Sequence, residues 1–479
     1  MTVGLLLLSS SRPVLAQASP LPESIAVGAW TFRPSVEVRV RGEYRRHPFD
    51  AGGDVYDSTA VLSESARSAL PRVTSTQPQV QNQYFVAERA RLGLAIDRGP
   101  VTAAVTLQDA RLWGDVNDTG SALPVPPGEP APPAFAPHEA YLDVHTRSGR
   151  HVFLRVGRQR VAWGDGRLVG DDEWSITGRS LDAARFGFQA GDFDVEMMAA
   201  MLATPGRYVP ANAPAAPETT VGQSLADGSG TQLYGLNAAW HALPLLDVEL
   251  TGLARVVREP APSALTPSNT FVADGRLEGD RRGFRYALEG AYELGQVASF
   301  GANRNLSAFA LAARASWETA LPAHLTLGAE GAYASGDDGH FTGTVRRFDP
   351  ILPDQHTSLS PMSLVAWSNV MLGGGSIGAR PLDELGVILS YRYAALAEPG
   401  GRWSGASLSP IGAAPGNASR ALGHEVDAAV RITPWKAFEI EAGYGLFVAE
   451  AAAEAILMAA GRPATSQHWA YLQTTVRMP

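Results

Sequence analysis

The sequence predicts an all-β fold: a single closed antiparallel transmembrane β-barrel of about 18 strands, with short turns at one end and long loops at the other. Three observations predict it. Apolar and charged residues alternate with a period of two in segment after segment, and the connections between those segments alternate short and long. No stretch of about 18 uncharged apolar residues is present to cross a bilayer as a helix. At roughly 150 residues per domain, 479 residues would allow three domains, but a large barrel of this length is one.

Composition removes several kinds of chemistry. With no cysteine, the chain has no thiol nucleophile, disulfide scaffold, iron–sulfur cluster or cysteine-ligated zinc. A net charge of −9 argues against a nucleic-acid binder. Lys436 is the only lysine among 39 positive side chains, and all the others are arginine. Codon use in a GC-rich genome explains that bias as readily as function does. Either way, the positive sites are rigid, forked guanidiniums.

Residues 1–18 read as an export signal. Leu5 to Leu8 form a short apolar core and Ala16-Gln17-Ala18 fits a small-x-small cleavage site. No Lys or Arg precedes Leu5, which a start codon assigned too far downstream would explain. The barrel is expected over 19–479. Its first strand spans Ser35 to Arg45, where Val36, Val38 and Val40 oppose Glu37, Arg39, Arg41 and Glu43. The dyad recurs where Arg89, Arg91, Gly93 and Ala95 oppose Ala90, Leu92, Leu94 and Ile96. Arg285, Glu289 and Glu293 then oppose Phe284, Tyr286, Leu288 and Tyr292. Arg314, Ser316 and Glu318 oppose Phe309, Leu311, Ala313 and Trp317. Glu425, Asp427 and Arg431 oppose Val426, Ala428, Val430 and Ile432, and Glu439 and Glu441 oppose Phe438, Ile440, Ala442 and Tyr444.

Short turns are expected at 97–100, 147–150, 190–192, 241–245, 280–283, 319–324, 379–384 and 433–437. Long loops are expected at 46–82, 114–138, 163–181, 204–230, 259–269, 295–306, 336–362, 397–422 and 449–466. The alternation needs 270–279 to be a strand, since without it the strand count is odd. Lipid offers no hydrogen-bond partner, so a sheet that spans it closes on itself, apolar face to lipid and polar face to the lumen. A soluble sandwich would reverse the two faces. The extent of the charged face, the placing of the long loops and the aromatics near strand ends favour the barrel. Tyr84, Phe85, Trp113, Tyr141, Trp240, Trp317, Trp435 and Trp469 suit an interfacial girdle.

Residues 155–186 read RVGRQRVAWGDGRLVGDDEWSITGRSLDAARF. This resembles the signature of the alginate export family of outer-membrane barrels: a strand ending G-R-Q, a Gly-rich loop bearing Arg, then R-S-x-D-x-x-R. The matching positions are Gly157, Arg158, Gln159, Gly164, Arg167, Gly170, Arg179, Ser180, Asp182 and Arg185. A second block, Ser335-Gly336-Asp337 with Phe348-Asp349-Pro350, Leu352-Pro353 and His356, looks like the family's S-G-D…F-x-P-L-x-P…H loop. Two features depart from the pattern: the last residues, Thr474 to Pro479, lack a terminal aromatic, and the Pro-rich stretch 120–137 has no counterpart. The resemblance implies an eighteen-stranded barrel in the outer membrane of a Gram-negative bacterium, with a narrow arginine-rich pore. It implies export of an anionic polysaccharide, an alginate-like polyuronate, by a monomer with an export partner at its periplasmic mouth. Beyond outer-membrane lipid and that polymer, no nucleic acid and no cofactor is expected.

Arginine suits such a path, because its guanidinium stays charged and grips a carboxylate bidentately, and rings of Arg select anions. The period-two pattern turns Arg39, Arg41, Arg89, Arg91, Arg155, Arg285, Arg314, Arg392 and Arg431 inward. Arg158, Gln159, Arg160, Arg167, Arg179, Asp182 and Arg185 belong to the signature block, which is expected to fold into the pore. Interleaved Glu37, Glu43, Glu88, Asp143, Glu196, Glu249, Glu289, Glu330, Glu425 and Glu441 would temper the field, and some arginines would only brace the wall against them. A diffusion porin for small anions and a soluble β-rich polysaccharide-active enzyme are the other readings. No catalytic motif supports the enzyme: Gly373 to Gly378 spell G-x-G-x-x-G, but Arg380-Pro381 follow where a helix would begin. Asp171-Asp172-Glu173 and Asp337-Asp338-Gly339 read as solvated turns or Ca²⁺ loops, and the Ala/Glu run 449–460 as a short helix.

Overall fold

The computed structural model of the chain describes residues 23–47, 49, 82–113, 135–146, 151–202, 228–243, 245–260, 269–299, 302–337, 343–354, 356, 359–406, 408, 410–459 and 465–479. The expected leader at 1–18, the turn at 147–150 and most of the Pro-rich stretch lie outside these residues, as does Asp338-Gly339.

A short strand, β1 (Ile25–Val27), folds back on β2 (Trp30–Arg46). There follow β3 (Asn82–Arg98), β4 (Val101–Leu112), β5 (Ala136–His145), β6 (Val152–Gln159), β7 (Leu181–Ala190) and β8 (Phe193–Met201). The wall continues through β9 (Gly228–Leu243), β10 (Leu246–Pro260), β11 (Asn269–Arg281), β12 (Phe284–Ser299), β13 (Ala302–Glu318), β14 (Thr326–Ala334), β15 (Val370–Leu382) and β16 (Leu385–Ala395). A two-stranded hairpin, β17 (Arg402–Ser404) and β18 (Pro410–Ala413), stands apart from the wall. The wall is completed by β19 (Ala421–Trp435), β20 (Phe438–Ala449) and β21 (Gln467–Met478). Each wall strand pairs antiparallel with its neighbours, and β2 pairs with β21 from Val36↔Met478 to Arg46↔His468, which closes a barrel of 18 strands. Closure leaves no edge for lipid to strand.

The two faces of each strand are inside-out relative to a soluble protein. Leu92 (60% exposed), Leu250 (59%) and Leu311 (54%) point outward, while Arg89, Arg41 and Glu43 are buried on the inner face. Alternation on β2, β3, β12, β13, β19 and β20 agrees with the sequence pattern, and 270–279 is a strand. The run after Ala449 is helical over Ala451–Ala459.

Four expectations are corrected. The stretch 295–306 is not a long loop: the ladder between β12 and β13 runs on from Gly295↔Leu306 to Ser299↔Ala302. Its Gly, Asn and Ser content resembles a loop, but pairing holds it as sheet. Gly295 has φ of +144°, and a Cβ there would meet the Asn269 carbonyl oxygen. The girdle loses Trp469, Tyr141 and Phe85, because register turns all three inward. Trp469 donates from Nε1 to Glu43 (2.9 Å), Tyr141 lies under the Arg155 guanidinium, and Phe85 packs on the cluster of Ala87, Leu112 and Ile176. Glu88 lies one residue from inward Arg89 and so faces out, where it accepts from Trp113 Nε1. Lastly, Asp171 and Asp172 are not solvated; both are buried inside the barrel.

The apolar core sits within the lumen toward the long-loop end. Segments 160–180, 343–354 and 359–369 fold inward and bring Val161, Val169, Phe348, Ile351, Leu352 and Trp367 against small inward residues of β13, Ala308, Ala310 and Ala312. Alanine on that face leaves the volume the loops fill.

Candidate functional site

Two infolded loops narrow the lumen, and the strand arginines hold them there. Arg39 donates to the Glu173 carbonyl (2.5 Å) and to Ser175 O, and Arg41 to the Trp174 carbonyl (2.5 Å). Arg89 and Arg91 reach the Glu173 carboxylate at 2.9 and 2.7 Å. Arg39 also donates to the Ile176 carbonyl (3.4 Å) and Arg91 to the Thr177 carbonyl (2.9 Å), so β2 and β3 present four guanidiniums to five consecutive residues of one loop. Burial of Glu173 opposes its ionisation, but His138, Arg89 and Arg91 hold its carboxyl well below the usual carboxylate range.

The second loop docks on the first. Val169 bridges Leu352, with N–H···O bonds from Gly170 to Leu352 (2.9 Å) and from Leu352 to Leu168 (2.8 Å). Arg179 donates to the carbonyls of Gly170, Leu352 and Pro353, which ties both segments to one side chain. Asp354 enters a cradle of glycines: a Cβ on Gly166 or Gly170 would lie 2.4 or 2.0 Å from its carboxylate. It accepts the Asp172 N–H (2.7 Å). Burial and the neighbouring Asp172 and Asp171 push it up to about 7 against the pull of Arg179. His356 stacks on Trp174 at 3.9 Å, and burial pushes it down to about 4.

The remaining inward arginines sit in cross-strand rows. Arg155 pairs with Asp143 (2.9 Å), Arg185 with Glu196 (2.7 Å), Arg431 with Glu441 (2.6 Å) and Arg285 with Asp280 (2.8 Å). Arg160 has Glu173 at 3.4 Å and Glu139 at 3.6 Å. Arg392 crosses a whole strand to reach Glu330 at 2.7 Å. It can do so because Gly374 stands between them in register, where a Cβ would lie 2.8 Å from Arg392 Cγ. Arg167, Arg276 and Arg314 converge on Asp165. Toward the short-turn end lies a cavity of about 460 Å³, lined in part by Arg285, Arg314, Arg380 and Arg392.

The family described as Alginate export matches residues 37–213 and 253–461. The chain belongs to the alginate export family. No curated protein matches it. Among solved structures it is similar to Pseudomonas aeruginosa OccK9 (OpdG), at 12% identity and TM-score 0.55, covering 93% of this chain and 98% of that one. It is similar to a BenF-like porin from Pseudomonas fluorescens Pf-5, at 7% identity and TM-score 0.55 over 93% and 98%, and to Acinetobacter baumannii OccAB1, at 10% and 0.54 over 93% and 96%. At these identities the likeness is one of fold. This alginate export family member is an outer-membrane β-barrel channel and not an enzyme.

Of the sequence-predicted residues, Arg158 and Asp182 are turned away from the lumen. They pair with each other at 3.1 Å on the outer face, in the row of Val156 and Phe186. Strand parity decides this, since Arg155, Gln159 and Arg185 take the inner positions. Gln159 is fully buried and donates to the Ala183 and Gly157 carbonyls, so it ties backbone rather than facing water. The sequence does not single out the acidic partners Asp165 and Asp354 or the strand residue Arg276, and it marks Glu173 only as part of the Asp171-Asp172-Glu173 turn, not as a partner of Arg89 and Arg91. The glycines around Asp165, in Trp163-Gly164-Asp165-Gly166, were a signal for a tight turn presenting that carboxylate. Among the described residues no group of three or more His, Asp or Glu is placed to hold a metal ion.

Proposed function

We propose that this outer-membrane channel passes an anionic polysaccharide, a polyuronate of the alginate type, out of the cell. One observation carries the reading: a series of partly exposed guanidiniums, Arg155, Arg160, Arg314, Arg285 and Arg431, remains in the narrowed lumen, each with a carboxylate in ion-pair range. Such a lining can exchange its own carboxylate for that of a passing sugar acid at little net cost. Binding then stays weak enough for release, which conduction requires. Family membership supports the same substrate class.

A second reading, a diffusion porin for small solutes, draws on the charge of the cavity. Its lining holds Asp247, Glu278, Asp280, Glu318, Glu330 and Asp427 beside four arginines, a balance suited to small solutes as well as to a polymer. Planar-bilayer recording separates the two. The export reading expects a short oligouronate to block the current at concentrations where a neutral oligosaccharide of equal length does not, and expects Arg160→Gln with Arg314→Gln to weaken that block. Equal block by both sugars would leave the porin.

A further inference from the structure

We infer that Asp165 is a resident counter-anion: it occupies a carboxylate subsite of the channel, built by Arg167, Arg276 and Arg314, and solute carboxylates exchange with it. This deepens the anionic-substrate reading and rests on it.

Asp165 sits at the tip of the turn Trp163–Gly166, closed by a bond from the Gly166 N–H to the Trp163 carbonyl (3.0 Å) with Gly164 at φ of +54°. The turn is pinned at one end, where Trp163 Nε1 donates to Glu196 (2.9 Å). One carboxylate therefore receives three guanidiniums from three elements. Arg167 of its own loop reaches Oδ2 at 3.0 Å, while Arg276 of β11 and Arg314 of β13 reach Oδ1 at 2.9 and 2.7 Å. Burial works against ionisation of Asp165, yet Arg167, Arg314 and Arg276 hold its carboxyl below the usual range, so it is charged at neutral pH.

The three arginines are not equivalent. Arg167 also pairs with Glu289, and Arg276 with Glu278 and Glu249, but Asp165 is the one carboxylate in ion-pair range of Arg314 among the described residues. Arg314 is also partly exposed and lines the 460 Å³ cavity. Its guanidinium thus faces the chain's own carboxylate on one side and water on the other. Arg167 Nε and Arg276 Nε are buried without a hydrogen-bond partner among the described residues, so Asp165 does not saturate the donors packed around it. A sugar carboxylate arriving from the cavity meets the donor geometry that Asp165 now satisfies, and the two anions compete for it. The loop supplies its own substrate mimic, and this keeps binding weak.

The test is block of single-channel current by a short oligouronate, with a neutral oligosaccharide of equal length as control. Asp165→Asn removes the competing charge while keeping the side chain's shape, and block is expected at about tenfold lower oligouronate concentration, the change that 1.4 kcal/mol of lost competition produces. Asp165→Glu should stay near wild type, and adding Arg314→Gln to Asp165→Asn should cancel the gain. Asp165→Ser gives the same shift if the asparagine variant does not fold, as judged by heat-modifiable mobility. If wild type discriminates the two sugars but neither neutral variant tightens the block, the exchange is overturned and the channel reading stands. If wild type does not discriminate them, the anionic-substrate reading itself fails.

Discussion

Glu173 brings one carboxylate to Arg89, Arg91 and Arg160, and the first two are almost fully buried. Removing the charge leaves Arg89 and Arg91 to share Glu37, at 2.6 and 3.9 Å, and breaking a buried pair costs up to about 3–5 kcal/mol. Glu173→Gln is therefore expected to free the 160–180 segment, seen as faster proteolysis of that loop in a barrel that still migrates as folded. Asp354 adds a pH dependence. Its carboxyl is pushed up to about 7 in the docked state, against about 3.9 free, so docking is favoured by the neutral form. That contribution is complete below about pH 4 and is lost as pH rises to about 7. His356, pushed down to about 4, has the opposite sign: its contribution is present above about 6.5 and lost on acidification. The two oppose each other between about pH 4 and 6.5, so the Asp354 part is read as a difference: protection factors of 163–178, corrected for the intrinsic exchange rate, should fall from about pH 4 to 7 in wild type relative to Asp354→Asn. Gly170→Ala would drive a Cβ into the same carboxylate, whereas Gly373→Ala meets nothing within 4 Å. The first is expected to undock the loops and the second to be silent in the same exchange experiment.

Among the elements, β13 shows how one strand serves two environments. Phe309 and Leu311 face lipid, Ala308, Ala310 and Ala312 make room for the loop core, and Arg314 takes over where the core ends and water begins. Parity decides the cost of substitution. Leu311→Arg puts a charge among acyl chains and should destabilise refolding into bilayers by about 2–4 kcal/mol in a denaturant titration. The period-two pattern made the wall strands legible, and the short turns showed where each reversed. It did not show which aromatics were girdle: Trp469, Tyr141 and Phe85 have the same composition cue as Trp317 and Trp435 but the opposite parity. Residues 295–306 read as a loop for a related reason, because small polar residues look alike in a loop and in a paired hairpin.

For the whole molecule, closure from β2 to β21 gives a water-filled interior, and the infolded loops fill its outer half. Stability then depends on the ladder of the wall, and conductance on the loops. A heat-modifiable shift on a denaturing gel should persist in Glu173→Gln even where its conductance rises; a variant that lost both together would show that the loops hold the wall closed. The sequence by itself determined the barrel, its strand number and the two faces of each wall strand it paired, since strand period and turn composition are local properties of neighbouring residues. Only the tertiary structure decided which carboxylate meets each guanidinium, and that the loops carrying Asp165, Glu173 and Asp354 fold into the lumen to meet them. Those contacts join residues as far apart as Asp165 and Arg314, and no local pattern encodes which distant partner a folded-in loop will reach.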